Sequence, residues 1–349
     1  MKDLLPEIEA WTREGQPFAL ATVVQTWGSA PRAAGSRMVV GADGRIAGSV
    51  SGGCVEAAVV EAAHEVLRTA TPKLLHFGVA DETAWAVGLA CGGTIEVFVE
   101  KPDPLFLDRA RRLVQEDQAA VLATVVEGPL AGRWLAARPE GLAEGTLGKL
   151  TEPVRAAALG VLGEGKSVRT RVGEVAVFLD VLRPAPTLVI VGGVHIAIAL
   201  TRIAQALGYC TIVVDPRPAF GNEARFPHAD RVLSEWPDEA LGRIGLTRET
   251  AVAVLTHDPK LDDPALRAAL VSPAFYVGAL GSKTTQAKRR QRLLEAGLSE
   301  PQVDRLHAPI GLDLGGRSPE EIAVSVMAQV VAVRNGRGGA VRDPAGPAR

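Results

Sequence analysis

The stretch Thr187–Asp215, TLVIVGGVHIAIALTRIAQALGYCTIVVD, constrains the fold more than any other part of the chain. Leu188–Val191 is a short apolar run of strand type. Gly192-Gly193-Val194-His195-Ile196-Ala197 then turns into a helix that runs to about Leu207 and closes at Gly208-Tyr209. Thr211–Val214 is a second apolar run, and Asp215 ends it. Strand, glycine turn, helix, strand and terminal acid together form the first unit of a Rossmann-like, doubly wound parallel sheet. In such a unit the helix start receives a phosphate and the acid holds a ribose hydroxyl. Gly192 and Ala197 fit the G-x-G-x-x-G/A pattern, but Val194 stands where its second glycine belongs. A valine there crowds a pyrophosphate, so ordinary NAD in its usual pose is not expected. His195 falls in the first helical turn, where it could meet a ligand edge or simply close the turn. Arg217 could meet a phosphate, stack on a base, or lie on the surface.

Two prolines in Arg183-Pro184-Ala185-Pro186 break the chain just before this unit. After them strands and helices alternate, which implies a parallel sheet covered on both faces. Ala251–Leu255 ends in Thr256-His257-Asp258, and Phe275–Val277 ends in Gly278-Ala279-Leu280-Gly281-Ser282-Lys283. Ligands of open α/β sheets bind beyond such strand ends, so Gly281, Ser282 and Lys283 join Gly192, Gly193, His195, Asp215 and Arg217 as candidate binding residues. Pro309–Gly316, PIGLDLGG, is a further glycine-rich loop before a helix capped by Ser318 with Glu321 at the capping-box position. The Rossmann-like domain is expected over 184–336, with 337–349 a tail without regular structure.

Residues 1–183 read as an α+β domain with an internal duplication, in halves 1–101 and 102–183. ALATVV from Ala19 matches VLATVV from Val121, and IEVFVE from Ile95 matches VAVFLD from Val175. Only the first half carries GSAPR, SGGC and CGG. There a strand over Ala19–Thr26 and a hairpin about Ala42-Asp43-Gly44 precede a helix from about Val55 to Leu67. Its Val55, Ala58, Val59, Ala62, Ala63 and Val66 recur at helical spacing.

The whole chain of 349 residues has 3 cysteines, too few for a disulfide framework. Cys54 follows Gly52-Gly53 and opens the helix, where amides and dipole suit an anionic sulfur. Cys91 precedes Gly92-Gly93. Two glycine-flanked thiols suit a soft metal or a sulfur-bearing ligand, whereas Cys210 reads as core. No C-x-x-C is present, which disfavours structural zinc. Ser29 and Arg32 of the preceding loop could place an anionic ligand. Glu56 could act as acid or base, or be a solvated helix acid.

Lys plus Arg number 38 and Asp plus Glu 40, a net charge of -2 with no polybasic run, so neither nucleic acid nor a membrane surface is an expected partner. The start, MKDLLPEIEAW, has no leader pattern, and the longest apolar stretch is too short to span a bilayer, so a cytoplasmic protein is expected.

Taken together, ATVVQTWGSAPRAAGSRMVV, GSVSGGCVE, GLACGG, VIVGGVHIA with VVDPRPAFGNEARFPHAD, and VGALGSKTTQAKRR with APIGLDLGGRSPEEIAVSVMAQVVA resemble the XdhC/CoxI family, the xanthine dehydrogenase accessory factors. The resemblance implies a factor that binds the molybdenum cofactor (molybdopterin), assists its sulfuration and inserts it into an apo molybdenum hydroxylase of the xanthine or carbon monoxide dehydrogenase type. It implies a chaperone rather than a turnover enzyme. By position, Cys54 and Cys91 match the family's cysteines, and His195 and Asp215 its Rossmann motif. A cysteine desulfurase is a further expected partner, a homodimer the expected assembly. The competing readings are an NAD(P)- or flavin-dependent oxidoreductase, with NAD or FAD at the Rossmann site, and a nucleotide-sensing regulator.

Overall fold

A computed structural model describes residues 1–30, 32–78, 93–140 and 143–337, and the chain divides into two compact units, Met1–Pro184 and Ala185 onward. The expected tail, apart from Arg337, lies outside the described residues.

The first unit opens with helix α1 (Leu5–Arg13) and strands β1 (Phe18–Trp27), β2 (Arg37–Gly41) and β3 (Ile46–Gly48). Helix α2 (Glu56–Thr69) and strands β4 (Lys73–Phe77) and β5 (Thr94–Glu100) follow. After α3 (Pro104–Gln115) come β6 (Ala120–Val125), β7 (Trp134–Ala137), β8 (Glu144–Gly145), α4 (Thr151–Glu164), β9 (Val168–Val172) and β10 (Val175–Leu182). The strands form two antiparallel sheets, ordered β3-β2-β1-β5-β4 and β8-β7-β6-β10-β9. The two orders agree strand for strand, and α2 and α4 fall at the same place in each half with 14 residues apiece.

Period-two alternation sorts each strand into two faces. Ala21, Val23, Val97 and Val99 turn toward α2 and pack on Val55, Val59, Ala63 and Val66. Each fully buried valine there contributes roughly 1.5–3 kcal/mol over exposure. The opposite faces of the two sheets meet each other, with Val24 and Phe98 against Val126, Ala176 and Phe178. Leu20 and Val39 meet Leu122, Trp134 and Ala136 in the same layer, closed by Ile8 and Trp11 of α1 and Phe106 and Leu113 of α3.

Charges are also buried in this inter-sheet layer. Arg37 donates to Asp180 at 2.6 Å with both side chains nearly fully buried, and Ser167 donates to the other Asp180 oxygen. Arg169 of β9 bridges Glu96 and Glu127. Asp180 of β10 and Glu100 of β5 occupy matching places, opposite Leu122 and Leu20 in their sheets. A Cβ placed on Gly35 would lie 3.1 Å from Asp180, and one on Gly132 would lie 3.5 Å from Glu100. Asp180 has its arginine. Glu100 faces no cation at hydrogen-bonding distance among the described residues, and burial pushes its carboxyl up to about 8 despite the more distant pull of Arg37.

The second unit holds β11 (Thr187–Val191), α5 (His195–Ala206), β12 (Cys210–Val214), β13 (Arg231–Leu233), α6 (Pro237–Ile244) and β14 (Thr250–Val254). It continues with α7 (Pro259–Val271), β15 (Tyr276–Ala279), α8 (Lys283–Glu295), α9 (Glu300–Val303), β16 (Leu306–His307) and α10 (Pro319–Arg334). All six strands run parallel in the order β13-β12-β11-β14-β15-β16, the doubly wound order with its switch between β11 and β14. Helices α6, α7 and α8 cover one face through Leu241, Leu266, Leu270 and Leu293. Helices α5 and α10 cover the other through Leu200, Ala204, Val326 and Val330. No helix among the described residues is long and apolar enough to cross a membrane.

Candidate functional site

In the first unit, the SGGC segment joins β3 to α2. Gly52 and Gly53 take φ of +82° and +122°, conformations that side chains resist. The turn they allow points a row of amides inward. The carboxylate of Glu56 accepts them: Ser51 at 2.9 Å, Gly53 at 2.9 Å, Gly52 at 3.1 Å, Val55 at 3.2 Å and Val50 at 3.3 Å. The hydroxyls of Ser49 and Ser51 donate to it as well, at 2.8 and 2.5 Å. Burial works to raise this carboxyl, but the bonds from Ser51 and Ser49 outweigh it and hold the group at about 2.

This corrects the expectation for Glu56. A carboxylate so thoroughly solvated by donors is a poor acid and a poor base near neutrality, and its role is to lock the turn. Helix α2 begins at Glu56 with Val55 as its cap, so Cys54 lies just before the helix start. The amides gathered there serve Glu56, not the thiol. Cys54 is exposed and free, and its own amide donates to the Ser51 hydroxyl at 3.0 Å.

Ser29 and Arg32 are exposed on the loop after β1. Arg32 and Ser49 line one cavity of about 610 Å³, whose wall also carries Lys2, Arg37, Asp180 and Arg183. Gly93 approaches this loop from the other side: any Cβ on it would press against the Ala30 amide nitrogen at 2.8 Å. Ala30 in turn packs on the cluster that holds Val50 and Val55. The GSAPR loop, the SGGC turn and Gly93 are thus brought to one end of the first sheet. Cys91 and Gly92 lie outside the described residues.

In the second unit, the glycine turn is filled by the chain itself. Asp215 is fully buried, and its carboxylate accepts the Gly193 amide at 2.8 Å. Arg217 wraps the same carboxylate with its backbone amide at 3.0 Å and its guanidinium at 2.9 and 2.7 Å. Burial would raise Asp215, but Arg217 and the Gly193 amide bring it below the usual carboxylate range. The Arg217 guanidinium lies over Phe220, 4.2 Å from the ring centre, and Arg225 donates to the Gly193 carbonyl at 3.0 Å.

A side chain on Gly193 would collide with the Phe220 carbonyl, and one on Gly192 with the Thr256 methyl. Both glycines therefore admit neighbouring protein at close range. The expected ribose acceptor, Asp215, is already saturated, and the expected phosphate ligand, Arg217, is its partner. His195 is exposed at the first position of α5 and has no hydrogen-bond partner among the described residues.

Further along the strand ends, Ser282 caps α8 by accepting the Thr285 amide at 3.2 Å, and Gly281 takes φ of +141°. Lys283 opens that helix, and its side chain is outside the described residues. The turn is held by a long-range pairing that the sequence does not show. Arg289 donates to the Leu280 carbonyl at 3.2 Å and pairs with Asp262 at 2.7 Å, both side chains buried. Thr256 donates to the other Asp262 oxygen. Threonine, aspartate and arginine thereby join the glycine turn to the Gly281 turn. Their only sequence signal is an arginine at a position of α8 that faces the core. No group of three or more His, Cys, Asp or Glu arranged to hold a metal ion occurs among the described residues.

Comparison with known proteins places these features. Residues 188–330 match the XdhC Rossmann domain, and residues 11–78 match the XdhC and CoxI family. An Escherichia coli (strain K12) protein described as the molybdenum cofactor insertion chaperone PaoD is 31% identical over 322 residues, covering 92% of this chain and 84% of that protein. The chain belongs to the XdhC and CoxI family. A second relative, from Bacillus subtilis (strain 168), is described as a probable xanthine dehydrogenase subunit. It is 28% identical over 341 residues, covering 94% of this chain and 96% of its own. A crystal structure from Bacillus halodurans, described as a xanthine dehydrogenase, superposes with a TM-score of 0.76 at 26% identity, over 99% of this chain and 98% of that one. Family membership accounts for the pairing of a cysteine-bearing antiparallel unit with a parallel Rossmann unit in one chain.

Proposed function

We propose that this protein is an accessory factor that holds the molybdenum cofactor as cargo and delivers it to an apo xanthine dehydrogenase-type hydroxylase. The observation that carries this reading is the match, over 92% of the chain, to a protein described as a molybdenum cofactor insertion chaperone. The first unit supports it chemically. An anionic, sulfur-containing cargo is suited by the exposed thiol of Cys54, and by a cavity in the same unit to which Arg32 and Lys2 contribute positive charge. Cys91 offers a second thiol in the sequence. In this reading a cysteine desulfurase supplies sulfur to the cargo, and the factor works in the cytoplasm as a homodimer.

The oxidoreductase alternative requires a nicotinamide or flavin nucleotide at the glycine turn. The saturation of Asp215 by Arg217 and Gly193 weighs against it.

Protein purified from molybdate-grown cells tests the proposal. Pterin fluorescence after oxidation, together with molybdenum by elemental analysis, is the expected result. The Cys54→Ala, Cys91→Ala double variant is expected to fold normally and lose most of both signals. A flavin or nicotinamide spectrum in place of the pterin would overturn the reading, and full retention by the double variant would overturn the part played by the thiols.

A further inference from the structure

A cavity of about 960 Å³ opens beyond the carboxyl ends of β15 and β16, between the PIGLDLGG loop and α10. Its size is that of a small-molecule site. Its walls include Leu280, Ile310, Leu312 and Ile322, and its polar floor is Ser325 and Gln329. Ile322, Ser325 and Gln329 recur at spacings of three and four, so one face of α10 supplies all three.

Gln329 is only 5% exposed in a helix whose other buried residues are mostly apolar. Its Oε1 accepts the Tyr276 hydroxyl at 2.7 Å and the Gly311 amide at 2.9 Å. An amide N–H must meet an acceptor, so these two donors fix which way the carboxamide faces. Burial pushes the Tyr276 hydroxyl up, and it stays a donor throughout the neutral range. Nε2 is left as a donor only, and no group among the described residues accepts from it. That donor opens on the cavity, where an acceptor on a ligand can meet it.

Charge around the cavity narrows the ligand. Arg290 is already held by Asp304 at 2.8 Å and by Glu300. The start of α10 is closed as well: Pro319 brings no amide, and the Glu321 amide is taken by Ser318. The cavity therefore offers apolar walls around the fixed Gln329 donor, with Gln286 and His307 also on its lining. Asp313 and Arg317, both exposed, bring opposite charges to the rim.

We infer that this cavity binds a flat, uncharged heterocycle that presents a ring acceptor to Gln329 Nε2. The inference stands apart from the cofactor-delivery reading, which concerns the first unit. Guanosine and riboflavin, two flat rings with ring carbonyls, are the probes, followed by saturation-transfer NMR and equilibrium dialysis on the full chain. At least one is expected to bind below about 1 mM. Gln329→Glu keeps an acceptor for Tyr276 and Gly311 but replaces the donor, and it is expected to weaken that binding about tenfold or more. Ile322→Trp fills the slot without touching Gln329 and is expected to abolish binding, which decides the matter should the first variant fail to fold. Absence of binding by both probes, or unchanged affinity in the folded variants, overturns the inference.

Discussion

Replacing Glu56 by glutamine tests how the SGGC turn is held. The carboxylate falls from an ordinary 4.5 to about 2 because it accepts hydroxyls and amides from Ser49 to Val55. Taken in full, that fall corresponds to roughly 3 kcal/mol of linkage. Glu56 is only part-buried, and solvent screening reduces the figure to about 1–2 kcal/mol. A depressed carboxyl contributes its stability above the unfolded value and loses it as pH falls toward the folded one. The contribution is thus complete at pH 7 and fades between about 4.5 and 2. Glu56→Gln is expected to lower the stability of the first unit by about 1–2 kcal/mol at pH 7 and by much less at about pH 3. Urea unfolding at both pH values reads the difference, and amide exchange over residues 50–55 shows whether the turn itself opens. A deficit of equal size at both pH values would refute the argument, because it would mean that shape and not charge holds the turn.

Two further outcomes are expected. Glu100→Gln should stabilise the protein at pH 7 by about 2 kcal/mol and by little at pH 4.5, since a carboxyl raised to about 8 loses stability as pH climbs from its unfolded value; matched thermal melts at the two pH values measure it, and a destabilised variant at pH 7 would count against an unpaired Glu100. Arg217→Ala should free the Asp215 carboxylate and strengthen NAD binding about tenfold or more from a very weak start, read by quenching of protein fluorescence; no change would show that Arg217 is not what closes the site.

The backbone plan was legible in the sequence because it rests on periodicity and punctuation. Strand runs such as Leu188–Val191, the glycine turn, the proline break before Thr187 and the capping box at Ser318 are local signals, and each sits where expected. The matching of ALATVV to VLATVV likewise pointed to two sheets of one design. What the sequence concealed was partnership at long range. Asp215 looked like a ligand group because its position is right, and only the fold shows that Arg217 and Gly193 already use it. Glu56 looked like a reactive acid because it neighbours Cys54, yet the amides converge on it only once Gly52 and Gly53 have turned. Thr256, Asp262 and Arg289 are spread over more than thirty positions and share no motif. The polar pair Ser325 and Gln329 could have been noticed, since both interrupt an otherwise apolar helix face.

The likeness of the two sheets bears on stoichiometry. Helix α4 stands where α2 does, but it starts with Thr151 after Gly148-Lys149-Leu150, with no acid at its first position and no cysteine before it. The inter-sheet acids differ too: Asp180 is neutralised by Arg37, while Glu100 has no such partner among the described residues. The architecture is nearly twofold and its chemistry is single. On the proposed function, a cargo seated at the SGGC turn would be carried once per chain, because the second half repeats the sheet without repeating that turn.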